Sequence, residues 1–122
     1  MGQYEAVLSD LRALAKTLST KVIIETGFLT DAEIVKASEL VKTAGAICVK
    51  TSTGMDPKVG IDVKVLHIKL MRQAVGPDFL IKASGGISSL ADAQKMVEAG
   101  ANIIGTSSSL KIIGVSQKTE SY

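Results

Sequence analysis

Two lysines, Lys50 and Lys82, each close a short apolar run and lead straight into small polar residues. The segments are Ala46-Ile47-Cys48-Val49-Lys50-Thr51-Ser52-Thr53-Gly54 and Phe79-Leu80-Ile81-Lys82-Ala83-Ser84-Gly85-Gly86. A lysine in a buried strand is costly unless it is paired or put to use. Alternate strand residues share a face, so Cys48, Lys50 and Ser52 point one way, as do Leu80, Lys82 and Ser84. If the two strands are neighbours, the ammonium groups converge at the same height. Two like charges in a dry site favour loss of one proton, and a neutral lysine is the nucleophile that forms a Schiff base with a carbonyl. The second lysine, still charged, would assist proton transfer. The alternative is that one or both lysines snorkel from a sheet rim into solvent.

The turns beyond these strands suit an anion. Ser84-Gly85-Gly86-Ile87 and Gly105-Thr106-Ser107-Ser108-Ser109 each follow an apolar run and precede a helical stretch. Glycines let the backbone approach a ligand closely, and N–H groups at a helix start favour negative charge. Amine chemistry beside a phosphate site is the combined expectation. Other polar residues are weaker candidates. His67 sits among Val63, Leu66 and Leu70 in a helical pattern and is expected at the surface or boundary. Cys48 shares the Lys50 face and is expected to be a buried structural thiol. Glu25 and Thr26 end another strand at the same rim, where Glu25 would bond Lys82 or a ligand, or form a structural ion pair.

Elements able to hold these residues alternate along the chain. Leu8, Leu11, Ala15 and Leu18 give a leading helix from about Gln3 to Thr17. Lys21-Val22-Ile23-Ile24 is a β-branched run closed by Gly27. Thr30 is an N-cap, with Asp31 and Glu33 in the first turn of a helix through Val41 that stops before Gly45. Further helices are expected near Val63–Ala74 and Ser89–Glu98, with a strand over 101–105 and a short helix around Leu110–Ile113. This is an α/β chain of four βα units, a weak internal repeat. The strands are continuous apolar runs, as expected where both faces are covered. In parallel α/β folds, ligands bind at the C-terminal ends of the strands, where the unusual polar residues fall.

Composition narrows the class. The 122 residues suffice for one domain, read as a single unit: leading helix 1–20, four βα units over 21–114 and a polar, mobile tail over 115–122. A net charge of +2, dispersed along the chain, gives no footprint for nucleic acid or an anionic membrane. One cysteine permits no intrachain disulfide and favours a reducing compartment. No apolar stretch approaches the ~20 residues of a membrane span, and the N-terminus lacks signal-peptide features. A cytoplasmic location is expected.

Four motifs together, Lys21-Val22-Ile23-Ile24-Glu25-Thr26-Gly27, Val49-Lys50-Thr51-Ser52-Thr53-Gly54, Ile81-Lys82-Ala83-Ser84-Gly85-Gly86-Ile87 and Ile104-Gly105-Thr106-Ser107-Ser108, resemble the deoxyribose-phosphate aldolase family in order and spacing. The resemblance covers nearly the whole chain. It implies a (β/α)8 barrel and a class I lyase of deoxyribonucleotide catabolism. Such an enzyme reversibly cleaves 2-deoxy-D-ribose 5-phosphate to glyceraldehyde 3-phosphate and acetaldehyde, with no metal or other cofactor. Under it Lys50 is the Schiff-base lysine, and Lys82 is the second lysine that favours the neutral form of the first. Gly85, Gly86, Ser107 and Ser108 match phosphate-binding positions.

The departures from the family are specific. A full barrel takes about 250 residues and eight strands, whereas this chain corresponds to a half (β/α)8 barrel, strands five to eight preceded by the fourth helix. The family's catalytic aspartate lies on the fourth strand, which has no counterpart here. Ser88 stands where many members carry a basic residue, and the loop after Gly54 reads Met55-Asp56-Pro57-Lys58-Val59-Gly60. Some members end in a tyrosine that folds over the site; Tyr122 here ends a polar tail expected to be untethered. Half a barrel leaves strand edges and an inner face open, so a homo-oligomer or an N-terminal half-barrel partner is expected. The rival expectation is a non-catalytic half-barrel that binds phosphorylated ligands, or a fragment needing a second half for activity.

Overall fold

A computed structural model describes residues 3–54 and 59–107, over which short strands alternate with longer helices. Residues 55–58, Ser108, the expected helix at Leu110–Ile113 and the tail to Tyr122 lie outside the described residues. Helix α1 (Tyr4–Thr17) leads into β1 (Lys21–Ile23), a single 3-10 turn (Thr26–Phe28) and α2 (Asp31–Thr43). Then come β2 (Cys48–Lys50), α3 (Ile61–Val75), β3 (Leu80–Ser84), α4 (Leu90–Ala99) and β4 (Ile103–Gly105).

Local chemistry starts the helices. The Thr30 hydroxyl accepts from the Glu33 N–H at 3.2 Å, and the Glu33 carboxylate accepts from the Thr30 N–H at 2.9 Å. This capping box satisfies two backbone donors that a helix start leaves orphaned. The Ser89 hydroxyl accepts from the Asp92 N–H at 3.1 Å and opens α4 in the same way.

The four strands form one parallel sheet in the order β1-β2-β3-β4. Consecutive parallel neighbours need a helical crossover, and α2, α3 and α4 supply one each. Val49, Ile81 and Ala83 point toward these helices and pack with Ile34, Val41, Ile68, Met71, Val75 and Met96. Each large apolar side chain so buried stabilises the fold by about 1.5–3 kcal/mol.

The opposite face of the sheet differs from the expectation that both faces are covered. Ile23 is 39% exposed and Leu80 40% exposed. These residues alternate in register with Lys50 and Lys82 on the side away from the helical core. The apolar runs therefore belong to strands whose second face, among the described residues, has no layer above it.

One clasp holds the entry end of strands β3 and β4. The Arg72 guanidinium on α3 donates to the carbonyls of Gly76 (2.8 Å), Phe79 (2.7 Å) and Gly100 (2.6 Å). It also donates to the Asn102 side-chain oxygen at 2.6 Å, and that oxygen accepts the Ile81 N–H at 2.9 Å. The fork geometry of arginine lets one side chain join α3 to the entries of β3 and β4.

Candidate active site

Register decides how the two lysines meet. Lys50 on β2 lies directly opposite Lys82 on β3, and Lys82 lies opposite Ile103 on β4. Both lysines are half-buried on the open face. Among the described residues no carboxylate forms an ion pair with either. Glycine at 105 makes room for the second: a Cβ there would come within 2.9 Å of the Lys82 Cε and 3.2 Å of the Ser84 Cβ. Gly105 was expected as part of an anion-binding turn. In the structure its bare backbone is also the floor under the lysine stem.

Cys48 sits on the same face, fully buried. Burial pushes its thiol up from the ordinary range, while the charges of Lys21, Lys82 and Lys50 pull the other way. The thiol is thus a buried group inside a ring of lysines, and this face of the sheet is basic.

Hydroxyls and backbone lace the strand exits into a rim. The Thr51 N–H donates to the Lys82 carbonyl at 3.1 Å. The Thr51 hydroxyl donates to the Ser84 carbonyl at 3.1 Å and accepts the Ser84 N–H at 3.0 Å. The Ser84 hydroxyl donates to the Ser52 carbonyl at 2.6 Å, and the Ser52 hydroxyl accepts the Gly54 N–H at 2.8 Å. Thr106 ties the exit of β4 to the next loop by donating to the Ile87 carbonyl.

Glu25 takes part in the same lacing, through Thr53. It adopts a left-handed backbone, φ 56°, unusual for a residue with a side chain. From there its carboxylate accepts the Thr53 N–H at 2.5 Å and pairs with the Thr53 hydroxyl at 3.2 Å. The side chain therefore ties down the loop that follows Lys50, and does not pair with Lys82.

These elements enclose an open cleft of about 440 Å³. Lys50, Gly85, Gly86 and Ser107 all line it, together with Thr53 and Ser88. Lys82 does not line it but stands opposite Lys50 in register, while Ser108 lies outside the described residues. Of the residues singled out for phosphate, Gly86 and Ser107 are exposed and Gly85 is half-buried. The arrangement puts the Lys50 amine in one cleft with glycine and hydroxyl-bearing loops.

Two residues near the cleft differ from or escape the sequence reading. His67 was expected at the surface or boundary but is only 6% exposed. It lines a cavity of about 10 Å³ beneath the cleft, with Lys64, Ser52 and Thr26. Its ring is apolar enough to pack against α3's neighbours while facing polar groups. Lys64 reaches from α3 to the glycine turn and donates to the Gly85 carbonyl at 2.5 Å. Nothing in its local sequence marks it out from the other helical lysines, since its partner is 21 residues away.

Comparison with known proteins bears on this site. No family model matches the sequence. A deoxyribose-phosphate aldolase from Thermoanaerobacter sp. (strain X514) is 47% identical over 118 residues, covering 92% of this chain and 52% of the relative. A solved structure described as QR15, an aldolase, superposes with a TM-score of 0.78 at 38% identity, covering 90% of this chain and 50% of that one. The tetrameric deoxyribose phosphate aldolase from Aeropyrum pernix superposes with a TM-score of 0.77 at 36% identity, covering 90% and 48%. The chain resembles half of a deoxyribose-phosphate aldolase. It spans about half the length of the curated relatives it matches. The likeness to deoxyribose-phosphate aldolases extends from sequence to backbone, and the four parallel strands with their crossover helices match half of an aldolase barrel.

Proposed function

We propose that this chain carries the imine-forming and phosphate-binding half of a deoxyribose-phosphate aldolase site. The observation that supports the reading is the direct register pairing of Lys50 with Lys82, with Lys50 lining one cleft together with Gly85, Gly86 and Ser107. The neutral Lys50 amine adds to the carbonyl carbon of acetaldehyde, and loss of water gives the imine. A proton then leaves the adjacent carbon, and the resulting enamine attacks the aldehyde carbon of glyceraldehyde 3-phosphate. Hydrolysis releases 2-deoxy-D-ribose 5-phosphate and restores the amine. Lys82, directly opposite Lys50 in register, supplies a proton donor. The phosphate of the acceptor rests on Gly85, Gly86, Ser107 and Ser108.

Intact mass after incubation with acetaldehyde and borohydride tests the reading. A reduced two-carbon adduct that disappears in Lys50→Ala is expected. Absence of the adduct in the wild type, with phosphate still bound, would replace the reading with a non-catalytic phosphate-binding half-barrel.

A second polypeptide over the open face is part of the same proposal. The partly exposed Ile23 and Leu80 on that face, together with Lys21, favour it. The partner is another copy of this chain or an N-terminal half-barrel, and the relatives' double length supports the latter. Sedimentation of the chain alone reads out the first. Aldol turnover that arises only on mixing with an N-terminal half would identify the second. The cytoplasm, a reducing compartment, suits the single buried Cys48.

A further inference from the structure

The cleft has an electrostatic imbalance. Among the described residues that line it, Lys50 is the only charged one. Gly85, Gly86, Ser88 and Ser107 also line it, and none of them carries charge. Among the described residues that line the cleft, a phosphate dianion held on these four would rest on neutral donors alone.

A cation nevertheless stands behind that wall. Lys64, on the first turns of α3, is half-buried and donates to the Gly85 carbonyl oxygen. Its Nζ would lie 3.4 Å from a Cβ built on either Gly85 or Gly86, so the ammonium sits in contact distance of the whole glycine turn. Both glycines have left-handed backbones, φ 88° and 70°, which wrap the turn around it.

The trans peptide plane links this contact to the cleft. In a trans unit the C=O and the following N–H point in opposite directions, and the Gly85–Gly86 bond is trans. With the Gly85 carbonyl directed at Lys64, the Gly86 N–H of the same unit is directed away from it, and Gly86 is one of the residues that line the cleft. A charge-assisted bond to a carbonyl polarises the whole amide and makes its N–H a stronger donor.

We propose that Lys64 is a positioning residue for the phosphate subsite, acting from behind the glycine turn. It fixes the turn, polarises the Gly86 N–H and adds positive potential where the cleft lining has none. The inference rests on the phosphate reading given above and extends it to a residue that does not line the cleft.

Titration of the protein with inorganic phosphate tests it. Lys64→Met is expected to bind phosphate about ten-fold more weakly, the loss of one charge-assisted contact. Its binding should also depend less steeply on ionic strength, because a screened charge has gone. Lys64→Met binding phosphate as tightly as the wild type, or with the same salt dependence, would overturn the proposal. A merely structural lysine leaves that salt dependence alone. Should the variant not fold, the wild type decides by nuclear magnetic resonance. Added phosphate is expected to move both the Gly86 amide and the Lys64 ε-methylene resonances, and movement of Gly86 without Lys64 would refute the idea. Wild-type protein that binds no phosphate overturns both this and the phosphate subsite, whereas acetaldehyde trapping on Lys50 scores the imine reading separately.

Discussion

Gly105→Ala probes how Lys82 is held. An added Cβ would stand 2.9 Å from the Lys82 Cε, 3.7 Å from its Nζ and 3.2 Å from the Ser84 Cβ. Carbon atoms settle at about 3.5–4.0 Å, so the Cε must retreat by at least about 0.6 Å or the side chain must change rotamer. The stem is flexible and half-open to solvent, which keeps the fold's share of the cost near the low end of overpacking, about 1 kcal/mol. The chemistry is less forgiving, since a misplacement of about 1 Å in a reacting group costs on the order of 10²-fold. The rate of the borohydride-trapped acetaldehyde adduct on Lys50, read by mass against time, should therefore fall about ten- to hundred-fold, while the melting temperature falls only a few degrees. A double-mutant cycle supplies the refutation. In a Lys82→Ala background, adding Gly105→Ala should cost little further rate. If it slows trapping as much there as in the wild type, the glycine does not act through Lys82.

Other expectations concern the frame around the site. Arg72→Met removes donors from the Gly76, Phe79 and Gly100 carbonyls and should destabilise the chain by about 3 kcal/mol in denaturant unfolding; a change below half that would show that water replaces the clasp. Glu25→Ala frees the Thr53 backbone and should cost about 1–2 kcal/mol, with faster amide exchange at Thr53 as its local signature. Exchange there unaltered would mean the tether is idle. The Glu33 carboxyl is held below its usual range, chiefly by the Thr30 N–H and then by the Thr30 hydroxyl. A depressed native value means that its contribution is complete above the unfolded carboxyl value of about 4.3 and is lost as pH falls through the native one. The melting advantage of wild type over Glu33→Gln should therefore be present at neutral pH and shrink in acid; a pH-independent difference would contradict the assignment.

Much of the frame could be read from local chemistry. Thr30 and Glu33 are three residues apart and make a capping box from their own side chains, so the start of α2 needs no distant partner. The run at Cys48–Lys50 ended where its hydroxyls begin, while β1 stops at Ile23, short of Thr26 and Gly27, and β4 takes in Gly105. The strand closed by Lys82 continues to Ser84, because Ala83 and Ser84 pair with Ile104 and Gly105 across the sheet. His67 was misjudged because its helical neighbours do not reveal that α3 turns this position toward the layer under the cleft.

What the sequence determined by itself was the kind of chemistry: lysines at strand ends, glycine turns after them, and alternation that puts each lysine on a definite face. The tertiary structure decided which groups meet. Lys50 and Lys82 become neighbours only through parallel pairing in one register, and a one-residue slip would separate them across the sheet. Lys64 reaches Gly85 across 21 positions, Glu25 reaches Thr53 across 28, and the Lys82 stem rests on Gly105. Contacts of this range depend on how helices and strands stack, and local propensity carries no information about that. The open face belongs to the same category, since an apolar strand reads alike whether its second side is covered or bare.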